Sequence, residues 1–537
     1  MTTEYVEPQK ILARQEMIEN AIAALTTDRT KATLCRRSYV REVRDTLVGR
    51  GDYDALAAGQ LTDDTIDRWE TFYDSIAQAK DAKNLKVAYL CGPNPENDLR
   101  VFCAAGILPE NIWAFESNAQ VHNKAVTSAL ASEFPFIKII HGGIDTFFEA
   151  SPTRFDIIYL DFSGPLPNRN KKQKTLLAIT RVLANHALNS PGALITNVSL
   201  PTKSGDAEGR ALLAMLVACY LYPKEFLEGD GDTNPEGPIA QGHNFEEWLA
   251  IVSADLDNYY GQFITRLLMD HASFISPYNR FPKRNRIYAN FFKEIPTSES
   301  KALMESALHF SDSKECGGGD VIVDAGQYPV LWAFTALNKK ANLKDENYPQ
   351  WVNQDAKFDA FADTFLSQLR TDGEVNALIK NTCELTFSML ANKGAGTFLK
   401  APLAKVVKEH CFQDYFQFCD LVLEHQIVEL LFRQVAVPYH VNVEMTRRWR
   451  YQAKETPMFM DMTILDECRY LYDWMPTTEM VSAGFSNIER QLAYRFALDG
   501  VSKHSRWFNS EYFFGTAVID QDTKLFEAKI LRPRSKL

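Results

Sequence analysis

Between residues 86 and 222 the chain changes rhythm. Short, largely apolar runs at 87–91, 112–115, 137–140, 155–160 and 193–198 alternate with longer stretches of mixed polarity at 98–105, 119–130, 174–188 and 209–222. A strand that is apolar at odd and even positions alike has no face to give to water, so both of its faces must be covered. Strands of that kind, each followed by a helical stretch, predict a parallel sheet with helices on both sides. The right-handed crossover rule makes a doubly wound sheet its default form.

The flanking regions read differently. Residues 1–84 carry helical periodicity at 11–25 and 65–79, interrupted at Gly49-Arg50-Gly51, and predict a helical N-terminal extension. The stretch 203–244 is rich in Gly, Asp, Pro and Glu and predicts an exposed loop or lid. Helical signal returns at 245–271, and the alternating aromatic run 286–295 suggests a late strand of the same sheet. After the Gly-rich turn at 316–320, amphipathic stretches at 355–370, 401–436 and 464–473 predict a mostly helical C-terminal region. The expected organisation is therefore an extension at 1–84, an α/β domain at 85–300 and a mostly α-helical domain at 301–537.

Composition narrows the function classes. With 46% hydrophobic and 24% charged residues the chain is globular, and its 537 residues suffice for more than one core. A net charge of −11 excludes a uniformly basic nucleic-acid coat but leaves room for a local basic groove. Nine scattered cysteines without a CxxC pair suggest free thiols in a reducing compartment. The polar start lacks a signal-peptide core, and the longest apolar run, 211–222, is too short to span a bilayer. A cytoplasmic protein without membrane contact is the expectation.

In an open parallel sheet, ligands sit beyond the carboxyl ends of the strands. Those ends read Cys91-Gly92-Pro93-Asn94-Pro95, then Phe115-Glu116-Ser117-Asn118, then His141-Gly142-Gly143-Ile144-Asp145, then Asp161-Phe162-Ser163-Gly164-Pro165. A glycine-bearing turn, an acid closing the second strand, an acid after the third and an Asp closing the fourth resemble the class I S-adenosylmethionine-dependent methyltransferases. The likeness runs over roughly residues 87–200 and implies a Rossmann-like domain. Residue by residue, the resemblance implies that Gly92 with the Pro93 and Asn94 backbone approaches the methionine part of the cofactor. It implies that Glu116, with Ser117 beside it, accepts the ribose hydroxyls. Asp145 would take the adenine amino group, with Ile144 donating a backbone amide, and Asp161 with Phe162 would face the reacting centre, Asp161 in a catalytic role. The first loop departs from the family's Gly-x-Gly, because Pro93 and Pro95 stiffen it and remove two amide donors. Plain structural roles also fit: Glu116 as a helix first-turn acid, Asp145 as the cap of a short turn at 146–149.

A nucleic acid is the leading substrate class. Arg169, Lys171, Lys172 and Lys174 follow the fourth strand, and further basic clusters with aromatic neighbours stand at 36–44, 278–286 and 447–451. There, Phe281, Trp449 and Tyr451 are candidates for stacking on unpaired bases. No Pro-Cys dipeptide supports C5 methylation of a pyrimidine. A zinc site built from His410, Cys411, Cys419, His425 and His440 lacks standard spacing, so no metal is expected. The alternative is a methyltransferase-like scaffold without catalysis, working with a protein partner or as a homo-oligomer in a nucleic-acid-associated complex.

Overall fold

A computed structural model of the chain describes residues 7–169, 174–222, 245–280, 355–370, 436–475, 486–505 and 531–537, with a few isolated positions between them. Its centre is a mixed, mostly parallel sheet of eight strands among the described residues, in the order β3-β2-β1-β4-β5-β7-β6-β8. The strands are β1 (Val87–Leu90), β2 (Ile112–Glu116), β3 (Lys138–His141), β4 (Phe155–Asp161), β5 (Leu188–Ser199), β6 (His440–Ala453), β7 (Thr456–Asp466) and β8 (Ser535–Lys536). β1 to β5 run parallel, whereas β7 is antiparallel to both of its neighbours, β5 and β6.

The helices are α1 (Pro8–Leu25), α2 (Arg29–Ala32), α3 (Tyr39–Arg50), α4 (Tyr53–Ala58), α5 (Asp63–Ile76), α6 (Glu96–Ala104), α7 (Ala119–Ala131) and α8 (Ile144–Ala150). They continue with α9 (Thr175–Ala184), α10 (Ala207–Leu221), α11 (Phe245–Ala254), α12 (Leu256–Asp270) and α13 (Ser276–Arg280). Last come α14 (Ala356–Gln368), α15 (Arg469–Tyr472) and α16 (Ile488–Ser505). Local chemistry sets several starts. Thr62 caps α5 by accepting from the Thr65 amide, and Asn118 caps α7 through the Gln120 and Val121 amides. Asp206 begins α10 by accepting from the Gly209 amide.

Two apolar layers sandwich the sheet. Alternation along each strand sends Val87, Tyr89, Ile112, Ala114, Ile157 and Tyr159 to one face, where α1, α6 and α7 cover them. The intervening Ala88, Phe115, Ile158 and Leu160 go to the other face, under α3, α5, α8, α9, α10 and α12. The strands expected at 87–91, 112–115, 137–140, 155–160 and 193–198 are thus present within a few residues, and the sheet is covered on both sides.

α1 fills one face of the sheet while α3 and α5 pack on the other, so the N-terminal helices are part of the sheet's own cover. Residues 440–466, expected within a mostly helical region, form the 14-residue β6 and the 11-residue β7 of the same sheet. The strand expected at 286–295, Lys293 apart, and residues 223–244 of the expected lid fall outside the described residues, whereas residues 207–221, the first part of that lid, form the largely buried helix α10. No helix among the described residues is long and apolar enough to cross a membrane.

Candidate functional site

The chain leaves β1 for α6 on one face of the sheet and leaves β4 for α9 on the other. Two adjacent parallel strands whose connections part in this way open a crevice at their carboxyl ends. Asp161 closes β4 at that point. Its Oδ2 lies 2.7 Å from Lys10 Nζ, and its Oδ1 accepts from Asn197 Nδ2 at 2.7 Å. The Asn197 amide also donates to the Tyr451 hydroxyl at 2.8 Å, linking β4, β5 and β6 on the α1 face. Asp161 is therefore a fixed, ion-paired carboxylate.

Gly92 opens the loop after β1 at φ +57°, a left-handed backbone that favours glycine, and faces open space. Pro93 and Asn94 are exposed, and the Pro95 carbonyl accepts from the Tyr89 hydroxyl at 2.7 Å. One turn into α6, Asp98 is buried against Arg14 of α1, whose Nε stands 2.6 Å from Asp98 Oδ1. Burial pushes the Asp98 carboxyl up to about 6, outweighing the attraction of Arg14, and the nearby charge of Asp161 adds to the rise. Tyr159, between the two acids, has its phenol pushed upward by burial and by both carboxylates. The first turns of α1 thus bring two cations to the two acids that flank the crevice.

At the end of β2, Glu116 Oε1 accepts the Asn118 amide at 2.7 Å, which fixes the carboxylate. Its Oε2 has no hydrogen-bond partner among the described residues, and alternation along β2 puts Glu116 on the α1 face with Ile112 and Ala114. Ser117 beside it is exposed. His141 pairs in register with Glu116 from β3, and its ring centroid lies 4.8 Å from that of His122 in α7. Asp145 lies elsewhere. It stands in the first turn of α8, 2.7 Å from Arg181 Nη1 of α9, and Arg181 also holds Glu149 at 2.8 Å. The Ile144 side chain is buried with α8 in the layer opposite Glu116. Phe162 is half-buried, its amide donating to the Asn197 carbonyl.

The structure brings Gly92, Glu116 and Asp161 to one edge and turns Asp145 away from it. Sequence reading missed Lys10, Arg14, Asp98, Asn197 and His122. Only Asn197, a polar residue within an apolar strand, carried a local signal.

The basic clusters mostly face acids. Arg169 pairs with Asp206 and Glu208, each at 2.8 Å, while Lys174 is exposed at the start of α9. Lys171, Lys172 and Phe281 lie outside the described residues. Arg36 pairs with Glu42, Arg37 with Glu70 and Asp74, Arg41 with Asp63, Asp67 and Glu70, and Arg44 with Asp45 and Asp63. Trp449 and Tyr451, expected as stacking surfaces, are buried instead, because both point to the α1 face. The Trp449 indole donates to Glu16 at 2.7 Å. No group of three or more metal-ligating side chains is assembled among the described residues.

No protein-family model, curated protein or solved structure matches the chain.

Proposed function

We propose that the chain is an S-adenosylmethionine-dependent methyltransferase that binds its cofactor in the crevice between the loops after β1 and β4. The observation that carries this reading is Glu116: a carboxylate fixed at the end of β2, with one oxygen open, next to a switch point. A carboxylate accepts but never donates, which suits a vicinal diol. The strand order supports the reading. The order 3-2-1-4-5 is that of a Rossmann-like, doubly wound sheet, and a reversed strand between the fifth and sixth is how the class I methyltransferase sheet departs from a dinucleotide-binding one.

The residues at hand fit the diol end of this cofactor through Glu116, and the open backbone at Gly92 leaves room beside it. When bound, the cofactor supplies an electrophilic methyl group. The chain supplies alignment, and Asp161, already oriented by Asn197 and Lys10, retains lone pairs to accept a hydrogen bond from an acceptor amine or hydroxyl. The acceptor class we assign is a nucleic acid, on the exposed Lys174 and the basic run that follows Asp161. The buried, unpaired state of four of the five described cysteines supports a reducing, cytoplasmic setting.

A second reading, a non-catalytic scaffold, is favoured by the pairs Lys10–Asp161 and Arg14–Asp98, which neutralise both crevice acids from within the chain. Calorimetric titration with S-adenosylmethionine and S-adenosylhomocysteine separates the two. The enzyme reading expects micromolar binding that Glu116→Ala weakens by about 1–3 kcal/mol, the usual loss for a hydrogen bond to a charged group. Absence of binding by either ligand at millimolar concentration favours the scaffold.

A further inference from the structure

We infer that His141, backed by His122, is the stacking surface for the base of the nucleoside bound at Glu116, in the place the resemblance assigns to Asp145. This rests on the reading of the crevice given above. In the order β3-β2-β1-β4, a ligand whose reacting end is at β1 and β4, and whose diol is at the end of β2, extends its base toward β3. The residue that closes β3 is His141.

Parity decides which side chain meets that base. Partners in a parallel register point to the same face of a sheet, and His141 is the partner of Glu116. Ile139, two residues before His141, packs in the layer beneath α1, α6 and α7, and so do Ile112 and Ala114 of β2. Asp145 belongs to α8, whose Ile144 and Phe148 pack in the opposite layer, and its carboxylate is held by Arg181. An acid anchored over one face does not reach a ligand lying along the other.

The histidines are suited to the task. Their ring planes differ by 32°, at a centroid separation of 4.8 Å, so His122 supports the His141 ring from behind. Neither imidazole has a hydrogen-bond partner among the described residues, and His141 is exposed. The next residue, Gly142, has nothing within 4 Å of where a side chain would begin, which leaves the approach to the ring open.

The test is calorimetric titration of the full chain with S-adenosylhomocysteine in five forms: wild type, Glu116→Ala, His141→Ala, His141→Phe and Asp145→Ala. Loss of one stacking ring weakens binding about tenfold. The expected result is that loss for His141→Ala, retention within about threefold for His141→Phe, which keeps a ring face, and unchanged affinity for Asp145→Ala. His141 is exposed, so its removal leaves the apolar layers intact; circular dichroism of each variant checks this. If wild type binds, Glu116→Ala weakens it and His141→Ala does not, the inference falls alone. The same holds if Asp145→Ala is the variant that loses affinity, or if Phe fails as badly as Ala. If wild type binds nothing, the inference and the methyltransferase reading fall together.

Discussion

Replacing Arg14 by Met leaves the aliphatic stem in place and removes the cation beside Asp98. Asp98 is only 4% exposed and Arg14 is its ion-pair partner at 2.6 Å, so the change leaves a buried carboxylate without a counter-charge. Breaking a buried pair from one side costs about 3–5 kcal/mol when the orphaned charge must stay. Asp98 has an escape. Its carboxyl already titrates at about 6, above an unfolded value near 3.9, so it can take up a proton instead. The sign follows from linkage: the native state binds the extra proton, so wild-type stability is highest below about pH 4 with respect to this group and falls as pH rises through about 6. A gap of about two units sets an upper bound near ~3 kcal/mol for that fall. Without Arg14 the carboxyl is pushed higher still, and the loss continues above pH 6 after wild type has levelled off. Urea denaturation of wild type and Arg14→Met at pH 5 and pH 8 therefore shows a small difference at pH 5 and one of several kcal/mol at pH 8. An equal difference at both values refutes this account of the pair, because only a titrating Asp98 makes the penalty depend on pH.

Other perturbations test separate parts of the structure. Glu467 is buried, which by itself would raise its carboxyl, yet hydrogen bonding to His186 and the charge of Arg154 bring it down to about 2. Its contribution is present above the unfolded carboxylate range and lost as pH falls through about 2, so Glu467→Gln narrows its stability deficit in acid titrations followed by circular dichroism. Trp449→Phe removes the indole donor to Glu16 and lowers stability by about 1–3 kcal/mol in urea, without changing oligonucleotide affinity in a filter-binding assay, since the ring is buried. Gly92→Ala meets no atom but must hold a left-handed backbone, which costs about 1–2 kcal/mol in thermal unfolding. Asn197→Leu removes the bridge between Asp161 and Tyr451, and under the proposed function methyl transfer to a nucleic acid falls by at least about tenfold, the scale for a misplaced group at the reacting centre.

Much of the sheet was legible because β1, β2, β4 and β5 bury residues on both faces, which leaves runs of apolar residues that no surface element shares, while the edge strand β3 is only half-buried. β6 was hidden by its chemistry. β6 carries Arg447, Arg448 and Arg450 in a row with Trp449 and Tyr451, which on the page is a basic-aromatic surface. In the fold the aromatic residues turn inward beneath α1. The guanidinium groups find the Arg532 carbonyl, Asp257 and nearby backbone carbonyls. Charges inside a sheet are costly unless long-range partners meet them, and here those partners lie some 80 to 190 residues away in the chain. No local pattern announces them.

The site was legible in its acids and illegible in its faces. Gly92, Glu116, Asp145 and Asp161 are all strand-end or loop residues in the order the resemblance requires, and order alone treats them as equals. Alternation does not. Glu116 and Asp161 share the face beneath α1 with His141, while Asp145, a few residues further along the chain, begins a helix that packs on the reverse side. A strand one residue longer would have exchanged these assignments, since a single step moves a side chain to the opposite face. The same reasoning explains why Lys10 and Arg14 escaped notice. They are four residues apart on one helix, a spacing ordinary in any amphipathic segment. Only the packing of α1 along the sheet brings that spacing opposite Asp161 and Asp98. What the order of motifs marks is therefore an edge of the sheet; which of its residues can act together is decided by the parity of each strand and by the helix that covers it.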